Sequence, residues 1–281
     1  MAIEETEYTP YYDVLQILKR DYKIIPSNQA NRFRPTLTDY QAAVTDGEKY
    51  FLIKSNPCNP TGVTWSGDTL KSFVEFCSKD CAGGLFDEAY EFFYEPSPES
   101  ALRYVRDLES CNIFVVGAAT KGLQAPGARV GWVISSKKNI ELFRNFSSIS
   151  MGGVSRPSQI FVSHLLELER VTLSRTAVSQ FYGSQRRRYE VALAALGFEL
   201  FTGDGGFYHW ARLPNGLTAD EFNERLFRHK AAILPGCLCD MYRREGEQSS
   251  HRFFIRFSFG PLSTDSFEGD IEILRNSLQA I

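Results

Sequence analysis

The chain reads as an α/β protein: a mostly parallel, doubly wound sheet followed by a smaller C-terminal α/β domain. Three observations predict this. Short apolar runs alternate with helix-period patterns through the first half, the signature of strand, crossover helix and parallel strand. Three chemistry-bearing motifs each end or follow one of those apolar runs, where ligands collect in parallel sheets. The 281 residues, with 43% hydrophobic and 14% aromatic side chains, suffice for two modest cores.

Taken in order, Val14, Leu15, Ile17 and Leu18 are spaced as a helix, and Tyr22–Ile25 is a strand. Lys49–Ile53 is a buried strand ending at an Asn/Pro cluster. Leu70, Phe73, Val74 and Phe76 mark an amphipathic helix. Gly84–Phe86 is a brief strand leading to Asp87. Ile113–Val116 is another, running into a small-residue turn and Lys121, and Val130–Ile134 is the next. Residues 1–155 form the larger domain, 156–180 a connecting helix, and 181–281 the smaller domain. A helix over 157–178 precedes a second over Ser184–Leu196. Strands at Phe198–Phe201, Gly206–Ala211, Ala231–Leu234 and Phe253–Phe259 and helices at Ala219–Phe227 and from Thr264 follow. The polar stretch Asp240–Ser250 reads as a mobile loop.

Net charge is −3, so no basic surplus points to nucleic acid. The triplet Arg186-Arg187-Arg188 reads as a solvated helix face. No apolar run reaches the length that spans a bilayer, and the acidic start Glu4-Glu5-Thr6-Glu7 has no leader pattern. The six cysteines do not combine at metal-site spacing, so reduced thiols in a cytoplasmic protein without a metal are expected. His164, His209, His229 and His251 have no evident catalytic partner and read as packing or surface residues.

The richest stretch is Thr120-Lys121-Gly122 with Arg129 inside Pro126-Gly127-Ala128-Arg129-Val130-Gly131. A lysine there can hold an aldehyde as a Schiff base and serve as a general base. The neighbouring hydroxyl and guanidinium can hold a phosphate. Asp87 ends a strand, and Tyr90 follows it by three residues; by itself so short a pattern better describes a helix cap and a packing tyrosine. Asn56-Pro57-Cys58-Asn59-Pro60-Thr61-Gly62 is more specific: two Asn-Pro steps and a glycine make a rigid turn, with one cis bond expected. Arg256, in the alternating run Phe254-Ile255-Arg256-Phe257, would face solvent by default.

These segments together resemble fold-type I pyridoxal-phosphate enzymes, specifically the class I/II aminotransferases, over nearly the whole chain from about Tyr8. The resemblance implies pyridoxal 5'-phosphate as cofactor and conversion of an amino acid to its keto acid. Lys121 becomes the Schiff-base lysine and Asp87 the partner of the ring nitrogen. Tyr90 and Asn59 become partners of the phenolate oxygen, and Thr120 and Arg129 phosphate ligands. Arg256 becomes the grip on the substrate carboxylate, beside Asn59. Tyr12 aligns best with the aromatic stacked on the ring, and Tyr11 is the competing choice. A homodimer is implied as well. Where the family has a serine three residues before the lysine, this chain has Ala118. The family's N-terminal arm and phosphate-cradling Gly/Ser loop have no counterpart here. Two other readings stay open: a different pyridoxal-phosphate reaction on the same scaffold, and a non-catalytic or partner-requiring homologue.

Overall fold

A computed structural model describes residues 1–44, 48–95, 97–244 and 246–279. Its larger sheet has six strands: β1 (Ala2–Glu4), β2 (Lys23–Ile25), β3 (Leu52–Ser55), β4 (Gly84–Asp87), β5 (Ile113–Ala118) and β6 (Gly131–Ile134). Their order is β2-β1-β3-β4-β5-β6. All neighbours pair parallel except β5 and β6, which run antiparallel. The mostly parallel sheet is therefore the one the pattern predicts. From β1 the chain crosses outward to β2, and it returns to β3 on the other side. That reversal opens a crevice beyond the carboxyl ends of β1 and β3.

Helix α1 (Thr9–Ile17) joins β1 to β2, α2 (Leu37–Ala43) follows β2, and α3 (Gly67–Cys77) joins β3 to β4. α3 buries Leu70, Phe73, Val74 and Phe76, the residues its spacing selects. α1 is the helix the spacing predicts; of the residues that marked it Leu15 is buried, and Val14, Ile17 and the capping Leu18 are exposed. β1 was not anticipated. Its Glu4 is buried and paired with the buried Lys54 of β3, and Tyr40 donates to the same carboxylate. The alternation rule could not find a strand whose charges are inside.

α4 (Lys137–Ser150) and α5 (Arg156–Leu165) precede α6, one unbroken helix over Leu168–Ala195. The expected break before Ser184 is absent. Gly183 is a packing residue: a Cβ there would lie 2.2 Å from the Glu95 carboxylate. The solvated-face reading of the arginine triplet holds for the exposed Arg187 and Arg188 and fails for Arg186. Arg186 is buried, and its guanidinium donates to the carbonyls of Phe93 (2.9 Å) and Gly206 (2.6 Å).

The second sheet, β7 (Glu199–Leu200), β8 (Tyr208–Arg212), β9 (Leu234–Pro235) and β10 (Phe254–Ser258), has the order β7-β8-β10-β9 and is antiparallel. α7 (Ala219–Phe227) and α8 (Phe267–Leu278) pack on it around Phe222, Ile255 and Ile271. A capping box of Thr218 and Glu221 starts α7 where the sequence places it. Within the loop 240–250, residue 245 lies outside the described residues. The rest is anchored: Asp240 and Ser249 are buried, and Arg244 bridges Asp240 to Glu5 of the first unit. His251 is buried against Thr6, and the buried His209 is pushed down to about 3 by burial and by Arg186.

Candidate active site

The ends of β3, β4 and β5 lie side by side, with Ser55 opposite Asp87 and Asp87 opposite Val116. The Asn/Pro turn, Asp87 and the Lys121 loop therefore open on one edge of the sheet. The turn is closed by Gly62 N donating to Cys58 O (2.7 Å) and Cys58 N to Val63 O (2.9 Å). Two cis bonds occur in it, Asn56–Pro57 and Asn59–Pro60, where one was expected. The second sheet's 203–206 loop presses on this turn: Gly203 N donates to Thr61 O and Gly205 N to Gly62 O. Gly62 has φ +70, and a Cβ on it would lie 2.5 Å from Gly205 O, so only glycine fits.

Asn59 is buried, and its Oδ1 accepts from Arg256 Nη1 at 2.8 Å. Arg256 is thus turned inward, with its guanidinium 5.7 Å from the Tyr208 ring centre. Its Nε is buried and has no partner among the described residues. Asp87 Oδ1 accepts from Ala89 N (2.9 Å), and Oδ2 accepts from the Tyr11 hydroxyl (2.5 Å). Tyr90 packs edge-on against Phe207 and Tyr208 at 5.3 and 5.4 Å. Burial pushes its phenol up to about 12, with Arg256 pulling the other way, so it stays a neutral donor at physiological pH.

Lys121 is half-buried, its Nζ 5.2 Å from the Phe207 ring centre and 5.6 Å from that of Tyr90. Burial, then Arg256 and Arg129, lower its amine below the ordinary lysine value. A lowered pKa raises the fraction of free, nucleophilic amine. Thr120 is half-buried beside it. Arg129 is exposed, in left-handed backbone at φ 54, and its guanidinium donates to Pro126 O at 3.2 Å.

Tyr12 is not brought to this edge. It packs against Tyr22, with ring centres 6.0 Å apart, and under the Arg243 guanidinium at 4.4 Å. Tyr11, one position away, reaches Asp87, with the exposed Tyr8 edge-on to it at 5.6 Å. Adjacent residues on a helix point about 100° apart, whereas i and i+3 share a face. Tyr11 and Tyr12 both border the cluster around the buried Leu15, and only Tyr11 turns toward Asp87. The sequence carried no chemical signal for Phe207 or for Ser55, whose hydroxyl links Glu7 to Asn59.

A family model described as aminotransferase class I and II matches residues 2–264. The probable aspartate/prephenate aminotransferase of Aquifex aeolicus is 26% identical over 228 residues, covering 75% of this chain and 55% of that protein. The 1-aminocyclopropane-1-carboxylate synthase 8 of Arabidopsis thaliana is 26% identical over 257 residues, covering 83% of this chain and 55% of that protein. The chain spans about half the length of these curated relatives. A solved double mutant of Thermus thermophilus aspartate aminotransferase shares the fold, with TM-score 0.83 at 20% identity, over 98% of this chain and 69% of that one.

Proposed function

The chain belongs to the class I and II aminotransferase family, whose members depend on pyridoxal phosphate, and we propose that it moves the amino group of an amino acid to a keto acid. One observation carries this reading: Lys121, Asp87, Tyr90 and the Asn59–Arg256 pair converge on one sheet edge from four separate segments. The donor set fits the cofactor. Lys121 offers an amine for its aldehyde, Asp87 a carboxylate for its ring nitrogen, and Tyr90 and Asn59 donors for its ring oxygen. Thr120 and Arg129 offer a hydroxyl and a cation for its phosphate. Tyr8 and Tyr11, rather than Tyr12, are the aromatic side chains at that edge.

When bound, pyridoxal phosphate supplies an electron sink for negative charge at the substrate α-carbon. Lys121 takes the α-proton on Nζ and delivers it again, a role its lowered pKa suits. Arg256 turns its fork of donors to the substrate carboxylate; the unpartnered Nε supports this, because a buried N–H calls for an acceptor. Phe207 and Tyr90 flank the lysine and limit its access to water. A homodimer belongs to the same reading, supported by the apolar side chains Phe146, Ile149 and Met151 exposed around α4.

The similarity to a 1-aminocyclopropane-1-carboxylate synthase at equal identity favours a second reading, cleavage or cyclisation without amino transfer. Borohydride reduction of the cofactor-loaded protein, followed by peptide mapping, should leave one pyridoxyl group on Lys121 and none in Lys121→Ala. A keto acid formed in step with an aminated acceptor supports transamination, and product without acceptor amination supports the second reading. No adduct at saturating cofactor would end both.

A further inference from the structure

Glu7 lies in the crevice between the ends of β1 and β3 and is completely buried. Its Oε1 accepts from Tyr8 N (2.9 Å) and from the Ser55 hydroxyl (2.5 Å), with Cys58 Sγ at 3.9 Å. Ser55 Oγ in turn accepts from Asn59 N (3.3 Å), and Asn59 Oδ1 holds Arg256. A continuous relay thus runs from Glu7 through Ser55 and Asn59 to the proposed carboxylate-binding arginine. The other oxygen, Oε2, is buried with no partner among the described residues.

We infer that Glu7 is a positioning residue that seats Asn59 through Ser55, and through Asn59 the guanidinium of Arg256. The inference rests on the proposed function for the role of Arg256, and the relay itself does not. An ionised Glu7 would be a second buried negative charge beside Glu4, and Lys54 is already engaged by Glu4. A change of charge on Glu7 alters the strength of both hydrogen bonds donated to Oε1, and Ser55 passes that change to Asn59. Burial and Glu4 push Glu7 up to about 8, against the opposing pull of Lys54 and the two hydrogen bonds to Oε1. The remaining titratable groups facing it are Cys58, Tyr11 of α1, Tyr40 of α2, and Tyr208 and Cys239 from the second-sheet side. Each is held well above its ordinary value, Cys239 at about 12, so each is neutral while Glu7 titrates. Glu4, Glu7 and Cys58 are close enough to share a cation, but Lys54 already supplies one.

The test is a pH titration from 6 to 9.5 of protein labelled with 15N at tyrosine and asparagine, followed by NMR. The Tyr8 and Asn59 amides should move together with one midpoint near 8, and both should become flat in Glu7→Gln. In active protein, KM for the amino donor should change several-fold between pH 7 and 9 through the same midpoint with kcat changed less, and Glu7→Gln should remove that pH dependence. An Asn59 amide that ignores the Tyr8 transition, or a transition that survives in Glu7→Gln, overturns the inference. The wild-type titration alone decides the matter if the variant does not fold. Absence of a borohydride adduct in the same sample would count against the proposed function and leave the relay result standing.

Discussion

The two halves of the candidate site are built differently. Asp87 and Asn59 have hydrogen-bond partners in place, Asp87 with Tyr11 and Ala89 and Asn59 with Arg256 and Ser55, and Arg256 is fixed through Nη1 by Asn59 while its Nε stays open. Thr120, Lys121 and Arg129 are half-buried or exposed, and among the described residues Arg129 donates to a carbonyl three residues away, that of Pro126. Asp87 and Asn59 follow parallel strands, the Asn/Pro turn lies under the 203–206 loop, which donates to Thr61 and Gly62, and Arg256 reaches Asn59 from β10 of the antiparallel sheet. The second half lies toward the β6 edge, where α4 leaves Phe146 at 69% and Ile149 at 89% exposure. The lesson is that packing on both sides orders polar groups before any ligand arrives, and the open side leaves them to be ordered by what binds.

The largest effect separating the halves should come from Arg256→Lys. A lysine cannot reproduce the fork held by Asn59, so on the proposed carboxylate-binding role KM for the amino donor should rise about 30-fold, roughly 2 kcal/mol, with a smaller change in kcat. Steady-state kinetics on the loaded enzyme checks this. Arg129→Gln should cost less: about fivefold weaker cofactor binding, near 1 kcal/mol, with kcat unchanged at saturating cofactor, because an exposed charge is screened. Equilibrium titration of cofactor fluorescence measures it. An Arg129→Gln loss as large as that of Arg256→Lys would break the comparison.

The smallest expected effect concerns pH. Glu88, buried behind Asp87 and donated to by Ala101 N, is pushed up to about 8 by burial and by Glu91. A carboxyl with a raised folded-state pKa binds its proton more tightly when folded. Its contribution is present below the ordinary carboxyl value and is lost as pH rises through about 8. Tm should therefore fall by a few degrees between pH 5 and 9, and Glu88→Gln should flatten part of that slope. A Tm that rises over the same range would contradict the assignment. The ordered half thus carries a pH liability in Glu88 and Glu7.

Much of the site was legible because its chemistry needs rare combinations. A lysine between a threonine and a glycine, an Asn-Pro-x-Asn-Pro-Thr-Gly turn and a strand-ending aspartate are distinctive even without contacts. Arg256 was legible only through the family, since alternation alone turns it to solvent; a neighbouring asparagine turns it inward. Tyr12 was chosen over Tyr11 because a linear motif carries no rotational phase, and a one-residue shift on a helix moves a side chain to another face. Glu7 was read as part of an acidic start, because a buried carboxyl in sequence looks like any surface acid.

The sequence by itself determined the family and the sheet's mostly parallel character, and it offered Lys121 and Asp87 as candidates for the site. Those follow from periodicity and from side-chain chemistry, both of which are local properties of the chain. Only the tertiary structure decided which tyrosine meets Asp87, that Gly183 continues a helix, and that Arg186 is interior. It also decided that Glu7, Ser55, Asn59 and Arg256 form one relay. The physical reason is that hydrogen-bond partners and burial depend on residues brought together from distant parts of the chain, Arg256 lying 197 positions from Asn59.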